Sequence, residues 1–189
     1  WSSDVCSSDL KPYLPIYLNE NLSKVYFRKN PQSRKEYIFG TKQVSFSAYF
    51  DAQGIDFILE NIYQEIDIYK NNISLLTNRF VSPISDMGPI TYKYYIVDTI
   101  SVNGYETIQV GFQPRNKASF AFVGNLYITN DDRYAVIKIE MKVPKQINLN
   151  FVQDLLINQE FEYIDNTAWA LHKDEIVIDF NLTSGAIGM

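Results

Sequence analysis

The sequence predicts a mainly β fold (α+β): a curved antiparallel sheet, a half-barrel, wrapped around one amphipathic helix. Three observations carry this. Arg133 to Val143 reads R-Y-A-V-I-K-I-E-M-K-V, with Ala135, Ile137, Ile139, Met141 and Val143 on one parity and Tyr134, Val136, Lys138, Glu140 and Lys142 on the other. Alternate side chains of a strand point to opposite faces, so this segment reads as a long strand with one dry and one wet face. Turn signals recur about every ten residues between Thr91 and Thr183, the spacing of an antiparallel meander. One segment breaks the two-residue period: from Ile55 the apolar positions Ile58, Leu59, Ile62, Ile66 and Tyr69 follow at helical steps and form one face.

Taken in order, Trp1 to Leu10 reads W-S-S-D-V-C-S-S-D-L, repeats an S-S-D element and shares no pattern with the rest of the chain. It resembles translated adaptor read-through and is set apart from the fold as a non-native segment. Residues 11–189 are expected to form a single half-barrel domain, a fragment of a longer chain. Residues 11–44 look irregular, with one or two strands among Pro12, Pro15 and Pro31. The helix from Ile55 has Asp51 as a candidate N-cap and Asn71-Asn72 as its end. Its exposed positions include Asp56, Glu60 and Glu65, an acidic face that suits a core-docked helix and not a membrane-surface one.

Ser82-Pro83 and Gly88-Pro89 bracket a loop. Thr91–Ile100 and Glu106–Gln113 read as strands joined at Asn103-Gly104, a strong hairpin signal. Ser119–Thr129 reads as a further strand, and Asn130-Asp131-Asp132 turns into the strand that Pro144 stops. Phe151–Leu155 is open between a helical turn and a strand, and Leu156–Asp165 reads as strand. Ala168–His172 continues, Lys173-Asp174 turns, and Ile176, Ile178, Phe180 and Leu182 alternate in a last strand. Curling the sheet about the helix buries both apolar faces, at roughly 1.5–3 kcal/mol for each large side chain.

Composition bounds the function without choosing it. The chain has 189 residues, 46% of them hydrophobic, 21% charged and 15% aromatic. A net charge of −5 gives no electrostatic reason to expect nucleic acid. One basic stretch, Lys24, Arg28, Lys29, Arg34 and Lys35, reads as a solvated loop. Cys6 is the sole cysteine, so an intrachain disulfide is excluded. No run approaches the ~18 apolar residues of a membrane-spanning helix. His172 is the sole histidine, and zinc hydrolases need several imidazoles or thiolates. A Ser-His-Asp arrangement around His172 lacks the G-x-S-x-G turn. No phosphate-binding glycine motif and no calcium loop is present. The acid pairs Asp131-Asp132 and Asp174-Glu175 sit in expected turns, where acids serve local hydrogen bonds. No enzymatic activity and no cofactor or metal is expected.

Several segments carry a resemblance: P-I-Y-L-N-E-N-L-S-K-V-Y-F (15–27), I-D-I-Y-K-N-N-I (66–73), S-P-I-S (82–85), Y-K-Y-Y-I-V-D-T (92–99), F-V-G-N-L-Y-I (122–128), N-L-N-F-V (148–152) and the stretch from Trp169 to Glu175. Together they resemble the middle domain, of unknown function, in a family of uncharacterised Gram-negative outer-membrane proteins. Those proteins have a carboxypeptidase-regulatory-like domain upstream and a membrane β-barrel downstream. The resemblance implies a cell outer membrane location on the periplasmic side, and partners in the remainder of its own chain. It implies a non-enzymatic module that supports a barrel or binds a partner. The expected half-barrel is also similar in architecture to periplasmic lipoprotein carriers. A carrier would hold an acyl chain or another apolar ligand, from a lipid or lipoprotein, between sheet and helix. Its lining would be Phe112, Phe122, Ile137, Ile139, Met141, Ile178 and Phe180, residues that plain core packing explains more simply. No nucleic acid partner is expected.

Overall fold

The computed structural model describes residues 17–28, 30–45, 66–149, 152–165 and 167–180. The chain divides into two compact units, Trp1–Glu60 and Asn61–Met189.

The described part of the first unit is one long hairpin. Strand β1 (Tyr17–Arg28) pairs antiparallel with β2 (Ser33–Ser45) in a ladder from Tyr17↔Ser45 to Arg28↔Ser33. The sequence shows only fragments of these strands, because apolar residues occupy both parities: Val25 and Phe27 on one, Leu22 and Tyr26 on the other. A bulge at Phe39, between the pairs Leu22↔Gly40 and Ser23↔Ile38, breaks the alternation further. The basic stretch expected as a loop thus lies mostly on two paired strands.

The second unit is mainly β. A small hairpin joins β3 (Asn72–Leu75) to β4 (Asn78–Val81). A single helical turn, α1 (Gly88–Thr91), leads into β5 (Tyr92–Val102). Strands β6 (Tyr105–Pro114), β7 (Val123–Thr129), β8 (Val136–Lys142), β9 (Val152–Ile164) and β10 (Ala168–Phe180) follow. They form a six-stranded antiparallel sheet of order β10-β9-β8-β7-β6-β5, a plain meander that does not close into a barrel. The predicted Asn103-Gly104 turn joins β5 to β6, with positive φ at both residues (50° and 82°), the backbone a two-residue hairpin of this kind requires.

The sheet departs from the sequence reading in four places. Ser119–Thr129 is strand only from Val123; Ala121 instead forms a single bridge to Val81. In β8 the partners shift from Tyr127↔Lys138 to Ile128↔Val136, which makes Ile137 the extra residue of a bulge. Val136 therefore joins Ile139, Met141 and Val143 in the main core cluster, while Ile137 is buried without joining it. Phe151–Leu155 resolves to strand from Val152 onward. The expected turn at Lys173-Asp174 is absent: β10 runs unbroken, and a bulge at His172 absorbs the change of register.

The helix expected from Ile55 lies outside the described residues, except at its end. There the chain is not helical. The Asp67 carboxylate accepts from the amide of Tyr69, and its carbonyl accepts from Lys70, a local turn that competes with helix. Ile66 and Ile68 are buried, Tyr69 is 60% exposed, and Asn72 already begins β3.

The core lies between the sheet and this cover. Ile66, Ile68, Ile73, Leu75 and Phe80 pack with Phe112, Leu126, Ile139, Met141, Leu155 and Ile157 from the sheet. The sheet is strongly coiled where β6, β8 and β10 begin. The Tyr105 and Trp169 rings meet edge to face at 5.3 Å, yet three strands separate β6 from β10, about 19 Å in a flat sheet at the usual spacing. Among the described residues no helix is long and apolar enough to cross a membrane, which says nothing of crossing by strands.

Gly124 marks the tightest packing in the sheet. A Cβ there would stand 1.8 Å from the Glu140 carbonyl oxygen and 3.0 Å from the Phe112 ring. Gly124→Ala is expected to destabilise the second unit by about 2 kcal/mol, lowering Tm by roughly 4–8 °C in a thermal melt; an unchanged melt would contradict the packing described.

Candidate functional site

Most of the residues expected to line a ligand space are wall and filling of one core. Phe112, Phe122, Ile139 and Met141 are fully buried in the main cluster, and Ile178 packs on its margin. Phe122 stacks on Phe80 at 4.8 Å, and Phe112 meets Tyr92 edge to face at 5.6 Å. Ile137 is buried at the β8 bulge. Phe180 ends β10 opposite Val152. A crevice beside the core, lined by Val143, Ile147, Leu149, Val152 and Leu155 among others, measures only about 10 Å³, far below the ~300 Å³ of an ordinary ligand pocket.

Several buried polar groups hold the cover to the sheet. The Tyr92 hydroxyl donates to the Val81 carbonyl (2.5 Å) and accepts from the Phe122 amide (3.0 Å). Burial raises its pKa far above the ordinary tyrosine range, so it stays a neutral donor. Ser82 Oγ donates to the Ile68 carbonyl, and Ser85 Oγ donates to the Ser82 carbonyl. Gln159 Nε2 donates to the Ile66 carbonyl at 2.7 Å and to Asp174 Oδ1 at 3.1 Å. Asp174 is thus a strand residue serving a buried amide, not the turn acid the sequence suggested.

Several titratable surface groups are also locally paired. His172 Nδ1 lies 3.2 Å from Glu162 Oε2, and both side chains are well exposed, 64% and 59%. That is an open cross-strand pair and not a cleft. Asp131 does act as the expected turn acid: it accepts from Thr129 Oγ1, the Arg133 amide and Arg133 Nε. Hydrogen bonds from the Arg133 guanidinium and from Thr129 lower its pKa to about 2. Arg133 in turn lies over the rings of Tyr163 and Trp169, at 5.0 and 6.0 Å. On β7, desolvation and the hydrogen bond to Glu140 push the Tyr127 hydroxyl up to about 12. Among the described residues no group of three or more His, Cys, Asp or Glu is placed to hold a metal ion.

The sheet has two edge strands, β5 and β10, and the more apolar exposed one is the outer edge of β5. It pairs with β6 on one side, and no strand pairs its other side among the described residues. Tyr94, Tyr95, Ile96 and Val97 are all exposed, Ile96 at 74%. Tyr94 is anchored through its hydroxyl to the Pro83 carbonyl at 2.6 Å. The Tyr95 ring covers Gly111, where a Cβ would meet it at 2.4 Å. A bulge at Val97 separates Ile96↔Val110 from Asp98↔Gln109. What such an edge can do is chemically definite: it offers a row of backbone donors and acceptors to an added strand, with apolar side chains on either face. In the sequence the apolar residues of this strand fall on both parities, Tyr92, Tyr94 and Ile96 on one and Tyr95 and Val97 on the other, which is the signal of an edge apolar on both faces.

Residues 8–188 match a family of unknown function, DUF5686, and the chain belongs to it. No curated protein and no solved structure matches the chain.

The Asp131–Arg133 turn makes a pH prediction. A carboxylate held at a depressed pKa keeps its ion pair above its ordinary range and loses it as pH falls through the lowered value. Asp131 is expected to titrate near pH 2 by carboxyl NMR. Trp169 fluorescence should hold steady from neutral pH to about 4 and shift below, and Arg133→Ala should produce that shift already at pH 7.

Proposed function

We propose that this chain is a non-enzymatic, periplasm-facing module of an outer-membrane protein, and that it supports a membrane barrel or binds a partner through the β5 edge. The setting is drawn from the resemblance carried by segments such as 15–27, 92–99 and 122–128; the matched family itself has no assigned function. The observation that carries the reading is β5 itself: an 11-residue strand, hydrogen-bonded on one side, with four consecutive large apolar side chains exposed. Soluble proteins usually blunt such an edge or cover it. The occupant fits a strand from the remainder of its own chain, or from a separate partner, added in antiparallel or parallel register.

The absence of enzymatic activity is inferred from where the polar groups go. Tyr92, Ser82, Gln159, Asp131 and His172 each have a local structural partner. A carrier holding an acyl chain between sheet and helix is the second reading; the close packing of Phe112, Phe122, Ile139 and Met141 weighs against it. Lipid recovered by mass spectrometry from the purified chain, at near one per molecule, would restore the carrier.

The location and the edge are tested together. The parent protein, expressed from its own coding sequence in a Gram-negative host, is expected in the outer-membrane fraction, with this region cleaved by added protease only after the periplasm is opened. A photo-crosslinker at Ile96 should form one discrete adduct, and one at exposed Tyr134 on the β7–β8 turn should form none. Recovery in the cytoplasm would sink the location, and no adduct at Ile96 would sink the role of β5.

A further inference from the structure

The β1–β2 hairpin is charged opposite to the rest of the chain. Residues 17–45 hold six cations (Lys24, Arg28, Lys29, Arg34, Lys35, Lys42) and two acids (Glu20, Glu36), a net +4; the chain total is −5, so the remainder carries −9. Cations and rings are interleaved on one face. Lys24 stands opposite Tyr37, and Tyr26 opposite Lys35, in the ladder. Lys24 Nζ lies 5.2 Å from the Tyr26 ring centre and Lys35 Nζ 4.8 Å from that of Tyr37. The two rings meet edge to face at 5.9 Å, and with Lys35 and Phe39 they line an open hollow of about 400 Å³. Strand alternation puts Val25 and Phe27 on the other face. Phe27 is 65% exposed and Phe39 69%.

We infer that this hairpin docks on an anionic lipid surface, with its lysines and arginines at the headgroup phosphates and its rings in the interfacial layer. A two-stranded ribbon is marginal in water, and this one exposes apolar side chains on both faces. The headgroup region of a bilayer suits that pattern. Basic residues gain there from the negative surface potential, Tyr is favoured at that depth, and Phe and Ile side chains sink toward the acyl boundary. Duplex nucleic acid would meet the cations and leave Phe27, Ile38 and Phe39 in water. A second hairpin of the same charge would be repelled. The acidic remainder gains nothing from an anionic surface, so the attraction is the hairpin's. The inference stands on the hairpin alone and does not need the β5 reading.

Co-sedimentation of the 189-residue chain with lipid vesicles tests it. The chain is expected to pellet with phosphatidylglycerol-containing vesicles, to stay in solution with pure phosphatidylcholine, and to be released as salt rises towards ~0.5 M. Neutralising Lys24, Arg28 and Lys35 together to Gln should lower binding about a hundredfold, at roughly fivefold per cation. The pair Phe27→Ser and Phe39→Ser should also lower it, with all charges kept. All five side chains are exposed, so far-UV circular dichroism and the thermal melt should match the parent; if a combined variant melts early, the single substitutions Lys24→Gln and Phe39→Ser replace it. The inference is overturned by failure to sediment, by equal binding to neutral vesicles, or by binding that survives either set of substitutions. Binding to duplex DNA with none to vesicles would assign the hairpin to nucleic acid and also overturn it.

Discussion

The second unit depends on closing an apolar sheet with a cover that is largely irregular backbone. Strands satisfy their own donors and acceptors; a stretch such as 82–87 does not. Each buried, unpaired polar group would cost about 1–3 kcal/mol, which the burial of one more isoleucine would barely offset. The structure meets this with a few side chains that reach from one layer to the other. Tyr92 joins the end of β4 to the approach of β7, Ser82 ties the start of the cover to its middle, and Gln159 reaches from the sheet to Ile66. Around them Phe80, Phe112 and Phe122 complete the apolar filling. The polar ties specify where the cover sits, and the rings hold it there.

Bulges do the remaining shaping. The sheet carries them at Val97, Ile137, Gln153 and His172, on β5, β8, β9 and β10. Each adds one residue on one strand, raises the local twist and exchanges the faces beyond it. In β8 the exchange turns Val136 inward and leaves Lys138 and Glu140 paired on the outer face at 2.7 Å. In β10 it lets Trp169 and Ile176, seven positions apart and of opposite parity, both pack against the core. The accumulated twist brings the first residues of β6 and β10 together, so Tyr105, Tyr163 and Trp169 form one ring cluster beneath Arg133.

Much of the sheet was legible because a half-buried strand writes its geometry into a two-residue period. Asn103-Gly104 showed its turn, and Ile139, Met141 and Val143 showed their face. The failures share a cause: a bulge looks like noise or like a turn in a periodic pattern. Lys173-Asp174 resembled a turn for that reason, and Ile137 was assigned the parity of Ile139. The hairpin of the first unit was obscured differently. Its two faces both carry apolar residues, so no alternation marks it, and Pro31 suggested a break where there is only a tight turn. The candidate surfaces were missed with it: Lys24, Arg28 and Lys35 read as a diluted basic run, because their approach to Tyr26 and Tyr37 comes from cross-strand pairing that linear spacing does not display.

The two exposed surfaces differ in chemistry, and that difference constrains what the chain can do. The β5 edge is near neutral, with Lys93 and Asp98 flanking Tyr94 to Val97, and what it has to offer is directional: backbone hydrogen bonds in a fixed register. The hairpin is strongly cationic and offers long-range attraction without register. A charged, deformable surface is drawn to the second and finds little charge to meet on the first. Were both surfaces for one partner, that partner would need an ordered strand and a diffuse negative field together. Two partners of separate kinds is the simpler requirement, and it fits a chain whose positive charge is concentrated in residues 17–45.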